Sequence, residues 1–130
     1  MNITRLLVAV ALASSAACVH AQAVDDLTPE FRACIRGTTN QVETGHCMSQ
    51  ELVRQDALVA AELKMAGDSA RPEIANRLKK AQAMWTAFRA QDCETKQAAV
   101  TGSGATSQYL ECMIHHAVLR KIQLGNYWSL

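Results

Sequence analysis

Cysteine is the residue type with the greatest scope for covalent chemistry in this chain, and five are present, at positions 18, 34, 47, 93 and 112. Cys18 belongs to a leader segment described below, which leaves Cys34, Cys47, Cys93 and Cys112. In an oxidising compartment an even set of cysteines in a small exported chain closes into disulfides, and four cysteines permit three pairings. The pairing Cys34 with Cys47 and Cys93 with Cys112 is favoured, because each pair brackets a break between expected helices. Closing loops of this size contributes on the order of 3 kcal/mol each in the chain-entropy view.

The competing uses of these thiols are weaker. A zinc site built from Cys112 and His115 with His46 and Cys47 lacks the usual spacing in its second pair, where the two ligands are adjacent. Oxidation on export would also consume the thiols first, so no metal and no cofactor is expected. A cysteine nucleophile needs a lone thiol beside a histidine base, and two disulfides leave none. Asp92 and Glu94 stand two apart on a helix and face different ways, which does not make an acid–base couple. With no phosphate-binding glycine loop or serine elbow either, no catalytic residue is assigned and the chain is not expected to be an enzyme.

The elements that position the cysteines read as helices. Thr28-Pro29-Glu30 supplies a cap, a proline for the first turn and an acid, starting a short helix that ends at Gly37. Thr38 to Gly45 is expected to be a polar loop, being rich in Thr, Asn and Gly. Ser49 and Glu51 then open a second helix with Leu52, Val59, Leu63 and Ala66 at helical spacing, closed by Gly67. A third helix follows Asp68, Ser69 and Pro72, with Leu78, Ala81, Trp85 and Phe88 as its apolar stripe and Gln82, Arg89 and Cys93 along the edge. Gly102-Ser103-Gly104 ends it. The last helix starts near Thr106 or Ser107, carries Leu110, Ile114, Ala117 and Ile122, and stops at Gly125. Strand signals are weak. The expected fold is all-α, a small disulfide-stapled bundle of three long helices and one short.

Ahead of these elements, Arg5 followed by the apolar run Leu6 to Ala13 has the layout of a secretion signal. Cleavage is expected after Ala21, with Ala23 as the alternative, giving a 1–21 leader and one domain over 22–130. Lipid anchoring through Cys18, after Ser15-Ala16-Ala17, is a minor alternative. The apolar run is shorter than the roughly 20 residues a membrane span requires, so no transmembrane segment is expected and the protein should be periplasmic or secreted. Residues 22–130 carry 12 basic and 12 acidic side chains, a balance that argues against nucleic acid as a partner. Acids outnumber bases eight to four over 22–68 and the ratio reverses over 69–130, so the molecule is expected to be an electric dipole.

The segment Leu78 to Cys93 reads Leu-x-x-Ala-Gln-x-x-Trp-x-x-Phe-Arg-x-x-x-Cys, followed by the glycines Gly102 and Gly104, then Cys112 and Arg120. Upstream stand Cys34, Glu43, Cys47, Glu51, Leu52, Asp56 and Leu63. This order resembles the LprI-like lysozyme-inhibitor domain family over roughly residues 31–124. Two departures stand out: Ala117 where the family usually carries threonine, and a less glycine-dense turn. The resemblance implies an exported, envelope-associated domain that binds a protein partner such as a lysozyme-type glycosidase, with no catalytic residues to inherit. Another envelope or stress partner is the alternative.

Within the motif, Trp85 and Phe88 are expected to anchor the core. Arg89 is expected to form an interhelical ion pair with Asp56, and Gln82 to lie at the packed edge. Thr38 to His46 and Thr101 to Gln108 are the segments expected to project and carry binding.

Overall fold

The computed structural model describes residues 26–129. The leader 1–21, Cys18 and both cleavage positions lie outside the described residues. Four helices make up the fold: α1 (Pro29–Arg36), α2 (Gln41–Asp68), α3 (Pro72–Ala98) and α4 (Gly104–Gly125), with no strand among the described residues. Disulfides join Cys34 to Cys47 and Cys93 to Cys112, with Cα–Cα distances of 5.8 and 5.5 Å. The chain is therefore the all-α bundle of one short and three long helices, cross-linked between α1 and α2 and between α3 and α4.

Each start has a local cause. The Thr28 hydroxyl accepts from the Phe31 amide, and Pro29 takes the position where a missing N–H costs nothing. Asn40 caps α2, its Oδ1 accepting from the Val42 and Glu43 amides at 3.0 Å each. Glu43 reaches back to the Thr39 amide, one residue ahead of the cap, at 2.7 Å, so Asn40 and Glu43 fasten the start of α2 in a variant of the capping box. This corrects the expected polar loop over Thr38 to Gly45 and the expected helix start at Ser49. Two orphan amides are satisfied ahead of the point where the apolar pattern begins, and the helix tolerates Gly45 in its first turns, a cost of about 1 kcal/mol against alanine.

The three-residue link Ser69 to Arg71 reverses the chain into α3, and a turn through Gly102, at φ +79°, reverses it again into α4. Short links make sequential helices antiparallel neighbours. Accordingly Arg120 on α4 meets Gln82 on α3, while Met113 meets Arg89. α2 and α4 run the same way: Gln41 reaches Ser103 at one end, and Trp128 reaches Ala66 at the other. α4 lies against both α2 and α3, while those two touch each other least.

The apolar interior is split into two clusters. Val59, Ala66, Leu78, Ala117 and Leu124 form one, with Leu63, Trp85 and Tyr127 against it. Met48, Ile114 and Val118 form the other, covered by Leu27 and Phe31.

Between α1 and α2 the fastening is polar. The Glu51 carboxylate, fully buried, accepts from the Thr28 amide at 2.9 Å, from the Thr28 hydroxyl and from Gln55 Nε2 at 2.8 Å. Gln55 also donates to the Asp26 carbonyl, and Lys121 pairs with the Asp26 side chain at 2.9 Å. A carboxylate at the amino end of α1 also suits the helix dipole.

The inward face of α3 differs from the expected stripe. Phe88 is 59 % exposed and Ala81 is exposed as well, so Phe88 is not a core anchor. The packed line is Leu78, Gln82, Trp85, Arg89 and Cys93, spaced four, three, four and four, which is one helix face. Partners on the neighbouring helices make its polar members burial-competent: Gln82 Oε1 accepts from Arg120 Nε at 2.8 Å, and Arg89 bridges α2 and α4.

Candidate disulfide-anchored binding end

Three polar assemblies can be built upward from these elements. The first centres on Trp85. Arg89 lies 5.2 Å and Arg120 5.7 Å from its ring centroid, so the half-buried indole carries a guanidinium at each of two contacts, an arrangement that supplies cation–π attraction in a desolvated setting. Arg89 Nη1 donates to Asp56 Oδ1 at 2.7 Å, and Nη2 to the Met113 carbonyl at 2.8 Å. The expected interhelical pair is thus present. Burial pushes the Arg120 guanidinium below its ordinary value, partly offset by Tyr127. These side chains tie α3 to both α2 and α4.

The second lies beside the Cys93–Cys112 bond. His116 Nε2 sits 2.9 Å and Lys96 Nζ 3.0 Å from Asp92 Oδ2. These hydrogen bonds, His116 first and Lys96 second, hold Asp92 below the usual carboxylate range. The His116 ring meets Phe88 edge-on at 5.7 Å. A histidine–carboxylate pair can activate a neighbouring nucleophile, but the nearby sulfur, Cys112 Sγ at 3.8 Å from Asp92, is bonded to Cys93. Asp92, Cys93, Cys112 and His116 place one ligand atom each within 4.8 Å of one another. This differs from the zinc set considered from sequence: Cys47 and Cys112 belong to separate disulfides, and His46 hydrogen-bonds Gln50 at 2.9 Å. His116 and Gln55 escape sequence reasoning, and Glu51 is legible there as a helix-start and family residue without its buried role, because their partners are 23 or more residues away apart from the Glu51–Gln55 bond itself.

The third assembly is the end of the bundle where both disulfides lie nearest the turns. Gln41 Nε2 donates to the Ser103 carbonyl at 3.0 Å, which joins the α1–α2 turn to the α3–α4 turn across 62 residues of sequence. Thr38 Oγ1 donates to the Ile35 carbonyl, and Glu43 binds both the amide and the hydroxyl of Thr39. The Thr39 amide is the main reason that Glu43 stays below the usual carboxylate range.

Thr39, Asn40, Gln41, Thr101, Gly102 and Ser103 form an exposed, uncharged ridge. Beside it is a shallow depression lined by Ala33, Gly37, Thr38, Val42, Glu43 and His46 around the Cys34–Cys47 bridge, with Val42 84 % exposed on its rim. The two expected projecting loops are thereby shortened: residues 41–46 belong to α2 and 104–108 to α4. What projects is Thr38 to Asn40 and Ala99 to Ser103, at one end.

A family model described as lysozyme inhibitor LprI matches residues 34–124, from the first disulfide cysteine to the end of the core in α4. Neither curated proteins nor solved structures provide a match.

Proposed function

The chain belongs to the lysozyme inhibitor LprI family, and from that premise we propose that it is an exported inhibitor of a lysozyme-type glycosidase, acting by binding and performing no chemistry of its own. The observation that carries this is the Gln41–Ser103 bond, which unites two disulfide-anchored turns into one exposed ridge. A lysozyme cuts with two carboxylates in a cleft. An inhibitor has to present a narrow, rigid, hydrogen-bonding edge to that cleft together with an apolar rim. The ridge over Thr39 to Gln41 and Thr101 to Ser103 fits this description, and exposed Val42 supplies the apolar rim. Tethering by two disulfides lowers the ordering cost of association.

Export to the periplasm or the exterior is supported by the two disulfides, which persist in oxidising compartments, and among the described residues no helix is long and apolar enough to cross a membrane. The test is inhibition of chicken-type, goose-type and invertebrate-type lysozymes by the purified, oxidised protein. Inhibition of at least one class supports the assignment. No effect on any class, together with capture of another envelope protein, would replace it with a different binding role.

A further inference from the structure

We propose that Asp92, Cys93, Cys112 and His116 form a zinc(II) site whenever the Cys93–Cys112 bond is open, so that a metal ion and a disulfide are alternative staples of the same α3–α4 pair. Cys112 and His116 are four apart on α4 and share one face, while Asp92 and Cys93 are adjacent on the facing turn of α3. Their ligand atoms already lie within 4.8 Å of one another. Ligands at zinc distances of about 2.0 to 2.3 Å in a tetrahedron are about 3.3 to 3.8 Å apart, so opening the sulfur–sulfur bond requires side-chain adjustments only.

Polar contacts already aim the donors inward: His116 Nε2 and Asp92 Oδ2 are 2.9 Å apart, and Cys112 Sγ lies 3.8 Å from the same oxygen. Phe88 packs edge-on against the His116 ring at 5.7 Å. Cys93 is fully buried and Cys112 nearly so, so the thiolates are held out of water, where their attraction to a cation is stronger. Lys96 is a competing cation on Asp92. It is half-exposed and can turn to solvent when the metal neutralises the carboxylate.

Metal binding needs no redox partner, and the exchange of metal for disulfide needs one, a disulfide oxidant or its dithiol. In the chain as synthesised both sulfurs are thiols, and zinc binding releases their two protons to solvent. When a disulfide-bearing oxidant, such as an exchange catalyst, takes two electrons from the thiolates, Cys93–Cys112 closes, the oxidant becomes a dithiol and zinc leaves. Reduction by a dithiol runs the same step backwards.

The test uses the mature chain, first folded oxidised and then treated with a phosphine reductant under argon, with cobalt(II) as the spectroscopic probe and zinc(II) in competition. The expected result is one cobalt per chain, with thiolate charge-transfer bands and tetrahedral visible bands. These are absent from the oxidised protein and persist in a Cys34→Ser/Cys47→Ser variant, and His116→Asn binds cobalt about tenfold or more weakly, since losing a ligand costs at least as much as losing a ligand's hydrogen-bond partner. In the Cys34→Ser/Cys47→Ser variant, where only Cys93–Cys112 can open, helicity lost on reduction should return with one equivalent of zinc, since metal binding to such a site is folding free energy. The proposal is overturned if the reduced protein gives no cobalt spectrum, if zinc fails to restore helicity lost on reduction of the Cys34→Ser/Cys47→Ser variant, or if the spectrum survives Cys93→Ser/Cys112→Ser.

Discussion

Removing Asp56 should cost more stability than removing Arg89, although both substitutions delete the same ion pair. The Arg89 side chain is 5 % exposed and that of Asp56 is 47 % exposed. Asp56→Ala therefore strands a guanidinium in the interior, and its Nε is already buried without a hydrogen-bond partner. An unpaired buried charge of this kind costs about 3 to 5 kcal/mol. Arg89→Met keeps the aliphatic stem against Trp85 and leaves a carboxylate that water can reach. Its cost is the charge-assisted bond to Asp56, discounted for that carboxylate's exposure, together with the bond to the Met113 carbonyl, or about 1 to 3 kcal/mol.

The double variant should lie close to Arg89→Met alone, because without the guanidinium Asp56 has little to do. Urea unfolding of the four proteins measures this, with the slope checked for constancy so that midpoints report stability. An Asp56→Ala cost no larger than that of Arg89→Met, or additive single costs, would refute the account of a buried cation held by a half-exposed anion.

The exposed Phe88 and the half-buried Trp85 should separate in the same assay: Phe88→Ala within about 1 kcal/mol of wild type, Trp85→Ala losing about 3 kcal/mol or more. Asp92 has a folded pKa below its ordinary value of 3.8, so its contribution is fully present above that pH and disappears as the pH falls through the lowered folded value. Acid unfolding of Asp92→Asn should therefore begin from a lower stability near neutrality and show a flatter decline below pH 3.8 than wild type. Thr28→Ala removes both the α1 cap and a donor to buried Glu51. It should cost about 1 to 2 kcal/mol, and hydrogen exchange should show the loss concentrated in α1.

The helical class and the positions bracketed by each disulfide are legible because Pro29, Gly37, Pro72 and Gly102 punctuate the chain by local backbone rules. The start of α2 is also written in the sequence, as Asn40-x-x-Glu43, but surrounding Thr and Gly residues obscure it. The face of α3 is hidden for a different reason. Side-chain type favours Ala81 and Phe88 as interior, whereas burial of Gln82 and Arg89 depends on Arg120, Asp56 and a carbonyl of α4, partners 24 to 38 residues away. Glu51 and Gln55 are the same case. A buried polar residue is recognisable only together with the distant group that satisfies it. The binding end combines both kinds of information: each turn is visible locally, and their union through Gln41 and Ser103 is visible only in three dimensions.

The central claim, that the joined ridge is the inhibitory surface, is tested most directly by measuring lysozyme inhibition for wild type, Thr39→Arg and Ser103→Arg, alongside Phe88→Arg on a distant exposed face of α3. All four proteins should melt within a few degrees of one another, since exposed positions make few core contacts. The account predicts that both ridge variants lose at least tenfold in potency while Phe88→Arg inhibits like wild type. Full potency in the ridge variants, with loss in Phe88→Arg, would place the inhibitory surface on α3 and contradict it.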